Sequence, residues 1–121
     1  MELKVSKRST DGIPVVDLSG RLVFGDETKT LRSTVKEIIE HGDANIVLNL
    51  SDLAYVDSGG IGTLVGLYTS ARAAGGDLKL ACPNSRVQHV LEITRLMSIL
   101  SVHASEEQAI ADLRKKAAAV K

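Results

Sequence analysis

Cysteine occurs once, at Cys82, and tryptophan not at all, in a chain of 121 residues. A single thiol excludes an internal disulfide and a cysteine-based metal cluster, and it fits a reducing compartment. Aromatic side chains are confined to Phe24, Tyr55 and Tyr68, too few for a platform on which nucleic-acid bases stack. An excess of charge of one sign is also missing, since 15 Lys and Arg face 15 Asp and Glu. A protein that neutralises several phosphates carries a basic excess or stripe, so direct nucleic-acid binding is not expected. No apolar signal region follows Met1-Glu2-Leu3-Lys4, and the longest apolar stretch, around Ile61 to Leu67, is interrupted and too short to span a bilayer. What is present is ordinary soluble composition, 44% hydrophobic and 25% charged, which excludes disordered and low-complexity classes. These features point to one soluble domain, expected in the cytoplasm, of a size suited to binding rather than multi-step catalysis.

Short periodic segments separated by glycine punctuation organise the chain. Leu3 to Arg8 and Val15 to Ser19 alternate around Thr10-Asp11-Gly12, a hairpin signal, with Pro14 near the start of the second strand. Gly25-Asp26 opens a helical pattern that Asp26 is expected to cap, with Leu31, Val35, Ile38 and Ile39 on one face and His41-Gly42 at its end. Ile46 to Leu50 reads as a strand buried on both faces, with Asn49 expected to bond a neighbouring loop. A loop from Ser51 to about Asp57 and a helix from about Ser58 to Ala74 follow. Leu78 to Cys82 is a strand, Asn84-Ser85 caps a third helix, and Ile99 to His103 forms the last strand. A terminal helix opens with the Ser105/Gln108 capping pattern and closes with Arg114-Lys115-Lys116. Cys82 reads as a small buried hydrophobe. The order β-β-α-β-α-β-α-β-α predicts an α/β fold: a mixed, mostly parallel sheet with an N-terminal hairpin, covered by about four helices.

The chemistry concentrates in Val56-Asp57-Ser58-Gly59-Gly60-Ile61-Gly62. This segment exposes Ser58 at a helix N-terminus, where free N–H groups and the helix dipole favour an anion. Gly59 and Gly60 leave Ser58 open to a macromolecule, while a plain N-cap followed by packing glycines is the structural alternative. A serine protease needs an oriented histidine base on a larger all-β scaffold, and His41, His89 and His103 lack that context. A dinucleotide turn fails as well: Val65 stands at the third glycine position, and about nine residues separate Leu50 from Gly60. Gly60, Gly62 and Gly66 are instead attributed to helix packing. A regulatory phosphorylation site is the third functional reading, and it stands beside the structural alternative of a plain cap.

Asn45-Ile-Val-Leu-Asn-Leu50, followed by Leu53-Ala-Tyr-Val-Asp-Ser-Gly-Gly-Ile-Gly-Thr-Leu64, resembles the signature of STAS domains. More narrowly, it is similar to the bacterial anti-sigma-factor antagonists. The resemblance runs from about Leu3 to Leu113 and takes in Leu18-Ser-Gly-Arg-Leu22, Gly75-Gly76 and Ser105-Glu-Glu-Gln-Ala109. It implies a single STAS domain over residues 1–121, with its core at about 3–113. It further implies a binding protein rather than an enzyme. The unphosphorylated form binds an anti-sigma factor that is also a serine kinase and so releases the sigma factor; phosphorylation of Ser58 abolishes binding, and a serine phosphatase resets the protein. ATP and Mg²⁺ belong to the kinase, so no cofactor or metal is expected here. Asp57, Ser58, Gly59, Gly60, Ile61, Arg21, Val23 and Phe24 are the implied partner-binding residues, on a monomer or weak homodimer with no membrane contact. The alternative is a STAS module that is never phosphorylated and serves as an adaptor in a transport or signalling complex.

Two departures from the family pattern stand out. Many antagonists carry a second serine where this chain has Gly59, and an acidic residue where Val23 and Phe24 stand. These two apolar residues either form part of a docking patch or, with Phe24 tucked beneath the first helix, a hydrophobic staple.

Overall fold

The computed structural model describes residues 2–119. Met1, Val120 and Lys121, within the span assigned to the domain, lie outside the described residues, as does the side chain of Lys116 from the basic helix end. Five strands, β1 (Lys4–Thr10), β2 (Ile13–Leu22), β3 (Asn45–Val56), β4 (Asp77–Ala81) and β5 (Ser101–His103), lie side by side in chain order. β1 pairs antiparallel with β2, and the other neighbours are parallel. The helices are α1 (Glu27–Glu40), α2 (Ser58–Ala73), α3 (Ser85–Ile93) and α4 (Glu106–Ala119). This is the mixed, mostly parallel sheet with an opening hairpin expected from the sequence.

The layering follows from the handedness of crossovers. Parallel strands added one after another in a single direction, each by a right-handed connection, send every crossover helix to the same face of the sheet. Accordingly α1, α2 and α3 share one core with Leu18, Leu22, Leu48, Leu50 and Leu80. The opposite face receives only α4, whose Ala109, Ile110 and Leu113 pack on Val15, Val47 and Ala81. Asp11 and Gly12 both have positive φ, 51° and 80°, as a tight hairpin between β1 and β2 requires.

Several local expectations are corrected. Residues 51–56 are strand, not loop: β2 continues to Leu22 and pairs with them through Gly20↔Leu53 and Leu22↔Val56, after register shifts that disrupt the alternation a reader of the sequence looks for. The last strand is shorter than Ile99–His103, because a 3-10 turn at Leu96–Ser98 precedes it and Ile99 is half exposed. Asp26 makes no side-chain capping bond to α1; the Thr28 hydroxyl donates to the Gly25 carbonyl instead. Asn49 accepts from the Ser51 N–H at 3.2 Å, within the segment expected as a loop and found as strand, and also donates to Asp17 on β2 at 2.7 Å. Cys82 is only partly buried and sits at φ 61°.

Ion pairs fasten α4 to its face. The Arg8 guanidinium on β1 forks between Asp17 of β2 and Glu106 at the start of α4. Lys79 on β4 is fully buried and bonds Asp112 of α4 at 2.9 Å, Asp77 at 3.1 Å and the Ser101 hydroxyl at 2.9 Å.

Candidate functional site

The site is built where β2 and β3 end together. The Asp57 N–H donates to the Leu22 carbonyl at 3.2 Å, joining the last residue of β2 to the residue after β3. Asp57 then takes extended dihedrals and caps α2, its carboxylate accepting from the Gly60 N–H at 2.8 Å. The same carboxylate receives the Phe24 N–H, with both oxygens at 3.2 Å. One acidic side chain therefore satisfies an orphan donor of the helix and pins the β2–α1 loop beside it.

The two glycines after Ser58 have separate causes. A Cβ on Gly60 would overlap the Leu22 carbonyl oxygen, so the α2 backbone presses directly on the end of β2. A Cβ on Gly59 would overlap the Cβ of Phe24 and come within 3.0 Å of its Cα. The sequence departures at positions 24 and 59 are thus one feature, a loop seated on a residue with no side chain. Helix packing accounts for Gly60 but not for Gly62 and Gly66, where an added Cβ meets nothing within 4 Å.

Ser58 is exposed at the first turn of α2, with Asp57 before it and Gly59 after it. Phe24 is not a staple: 82% of it is exposed, because its backbone is held on the Asp57–Gly59 shoulder outside α1. Val23 is half-buried. Asp57, Ser58, Gly59 and Phe24 therefore form one surface, while Gly60, also expected there, is buried against the end of β2. Ile61 turns its side chain into the core at 8% exposure. Arg21, next to core-facing Leu22, stacks over the Tyr55 ring at 5.0 Å, apart from that group.

The exposed side of α2 borders a groove of about 500 Å³ against α1, lined by Arg32, Val35, Lys36, Thr63, Gly62 and Gly66. The Thr63 hydroxyl donates to the Gly59 carbonyl at 3.0 Å, so the groove begins one helical turn from Ser58. Sequence reasoning missed Arg32 and Lys36; the available signal was the pair of exposed glycines four residues apart on α2. Among the described residues no group of three His, Cys, Asp or Glu could hold a metal ion, and no helix is long and apolar enough to cross a membrane.

The site is thus a capped helix terminus that presents a hydroxyl, a carboxylate and an aromatic ring on open surface. The STAS domain family model matches residues 4–109. The anti-sigma F factor antagonist of Paenibacillus polymyxa is 28% identical over 93% of this chain and 97% of its own. The anti-sigma-B factor antagonist of Bacillus subtilis is 29% identical over 88% of this chain and 96% of its own. Among solved structures, a candidate anti-sigma factor antagonist from Thermotoga maritima superposes with a TM-score of 0.83 at 25% identity, covering 91% of this chain and 94% of that one.

Proposed function

The chain belongs to the STAS-domain family, and on that footing we propose that it is an anti-sigma-factor antagonist switched by phosphorylation of Ser58. Such a protein regulates by binding, not by catalysis. The observation that carries the reading is the exposed Ser58 hydroxyl at the N-terminus of a 16-residue helix, flanked by the Asp57 cap and side-chain-free Gly59. Relatives named as antagonists along nearly their whole length support it.

In this reading the unphosphorylated protein binds an anti-sigma factor in the cytoplasm and frees the sigma factor. The anti-sigma factor is itself a serine kinase, holds the ATP and Mg²⁺, and modifies Ser58; a serine phosphatase restores the hydroxyl. A phosphoryl group adds about −1.5 to −2 charges at neutral pH. At a helix N-terminus that charge faces unpaired N–H groups and the positive end of the dipole, so the fold tolerates it. Across an interface the same group is desolvated and stands beside the Asp57 carboxylate. A loss of ~3 kcal/mol lowers affinity about a hundredfold, enough to exchange partners without refolding either one.

Peptide mass spectrometry on the protein from resting and stressed cells tests this directly. Phosphate on Ser58 whose occupancy changes with condition is expected, with Ser58→Asp losing the anti-sigma factor and Ser58→Ala holding it constitutively. An unmodified Ser58, together with equal binding by both variants, would leave a constitutive adaptor.

A further inference from the structure

Among the described residues, the other exposed large apolar side chains, Ile93, Met97 and Ile99, lie at the last residue of α3 and in the segment that follows it. Phe24 differs. Its amide is fixed by both oxygens of Asp57, its Cβ rests where Gly59 has no side chain, and its ring has no cover. The chain thus spends a carboxylate and a glycine on presenting an aromatic ring to solvent. A ring held in advance loses little freedom on binding, which is how aromatic anchors come to dominate interfaces. Next to it, the Asp26 side chain is almost fully exposed, makes no capping bond, and pairs with Lys29 at 3.3 Å.

We infer that Phe24 is the apolar anchor of the partner interface, presented by Asp57 and Gly59, and that the partner protein receives it in an apolar socket with a cationic rim facing Asp26. The inference rests on reading the Ser58 surface as partner-binding, and it specifies the partner's chemistry there. A partner that places a cation against the ring, as one matched to an acidic residue in this loop would, is discriminated against, because that cation is left desolvated and unpaired. The neighbouring Ser58 joins the anchor to the switch: a phosphoryl group one residue from the Phe24 seat lies inside the area the socket must dry.

The probe is the anti-sigma factor of the chain's own cells, identified by cross-linking and then purified alone. Because the chain has no tryptophan, Phe24→Trp introduces a single indole, and its emission is expected to move to shorter wavelength when the complex forms. Phe24→Ala is expected to weaken binding about thirtyfold or more, with Phe24→Leu intermediate and thermal unfolding of both unchanged. Gly59→Ser is expected to weaken binding about tenfold in the native background and much less in a Phe24→Gly background, since the overlap with the Phe24 Cβ is then gone and only the close approach to its Cα remains. Asp26→Asn should slow association and flatten its salt dependence. An unshifted indole with Phe24→Ala binding within about twofold of the native protein overturns the anchor, even if Ser58→Asp abolishes the complex. The converse, loss with Phe24→Ala and none with Ser58→Asp, keeps the anchor and removes the phosphoswitch. A chain that captures no anti-sigma factor overturns both.

Discussion

Asp57 shapes the site more than Ser58 does, although Ser58 bears the hydroxyl proposed for phosphorylation. Its carboxylate caps α2 through the Gly60 N–H and pins the Phe24 N–H, so removing it exposes two donors and frees the loop. Asp57→Ala is expected to cost about 1–2 kcal/mol in urea unfolding and to broaden the Phe24 amide resonance, whereas Asp57→Asn retains most of the capping bond. An unchanged Phe24 amide in the alanine variant would show that the loop is held by other means. Lys79 is the other side chain whose burial decides an outcome. With no exposure at all, it bonds Asp77 and Asp112, and its removal strips a cation from a buried carboxylate, Asp77, and from the partly exposed Asp112. Asp77 keeps the Leu78 N–H and a distant Arg72, so Lys79→Met is expected to destabilise by about 3 kcal/mol despite its matched length. A loss below about 1 kcal/mol would mean that the carboxylates rearrange toward water. Nothing in Asp-Leu-Lys-Leu-Ala distinguishes that lysine from a surface one, because its burial is created by α4, almost thirty positions later in the chain.

The elements were legible in the sequence to the extent that local chemistry fixes them. Asn84 announces the start of α3, and its amide oxygen caps it as the residue type demands, whereas α2 is capped by Asp57 and not by Ser58, the residue the sequence offered as a plain N-cap. The sequence shows β3 short because Ser51-Asp52 and Tyr55 interrupt its apolar run, and the pairing with β2 as far as Leu22 holds those residues in the sheet. Tertiary pairing overrode local polarity there. For Phe24 the sequence left an exposed docking residue and a buried staple both open, and the seat made by Gly59 and Asp57 keeps it outside. Within α2 the structure separates glycines that the sequence presents alike. Gly62 and Gly66 face open space on ordinary helical backbone, so Gly62→Ala and Gly66→Ala are each expected to stabilise the fold by about 0.5–1 kcal/mol. Gly60→Ala drives a methyl into the Leu22 carbonyl and is expected to destabilise it by about 1–3 kcal/mol. Thermal unfolding of the three variants measures both signs together. Equal effects at all three positions would contradict the packing described for α2. If the two stabilising changes also weaken partner binding, the groove beside Arg32 and Lys36 belongs to the interface.

On the scale of the whole molecule, the sheet is covered unequally. Three helices share one face, while α4 alone covers the other and is fastened there by charge as well as by Ala109, Ile110 and Leu113. The Arg8 fork is the outer fastening. Its hydrogen bonds hold the Glu106 carboxyl, and likewise that of Asp17 with further help from Asn49, below the usual carboxylate range against the cost of desolvation. Groups depressed in the folded state stabilise it above their unfolded values, about 4 for Asp and Glu, and lose that contribution as pH falls through the lower folded values. Native stability attributable to the fork is therefore level from neutrality to about pH 5 and declines below it. The Arg8 side chain is 41% exposed and its partners 31% and 23%, so solvent screening limits the contribution to about 1 kcal/mol. Arg8→Ala should be less stable than the native protein by that amount at pH 7, with the difference shrinking toward acid. A difference that stays constant from pH 7 to pH 3 would assign the effect to lost packing of the arginine stem instead. Arg8 pairs with Val15, whereas the candidate site begins after Leu22, about 20 Å further along β2. Acid that loosens α4 should accordingly leave the Ser58 surface intact, so the Arg8→Ala protein is expected to bind the anti-sigma factor with native affinity wherever it remains folded. Titration calorimetry at pH 7 checks this, and a tenfold loss there would tie α4 to the interface at the other end of the sheet.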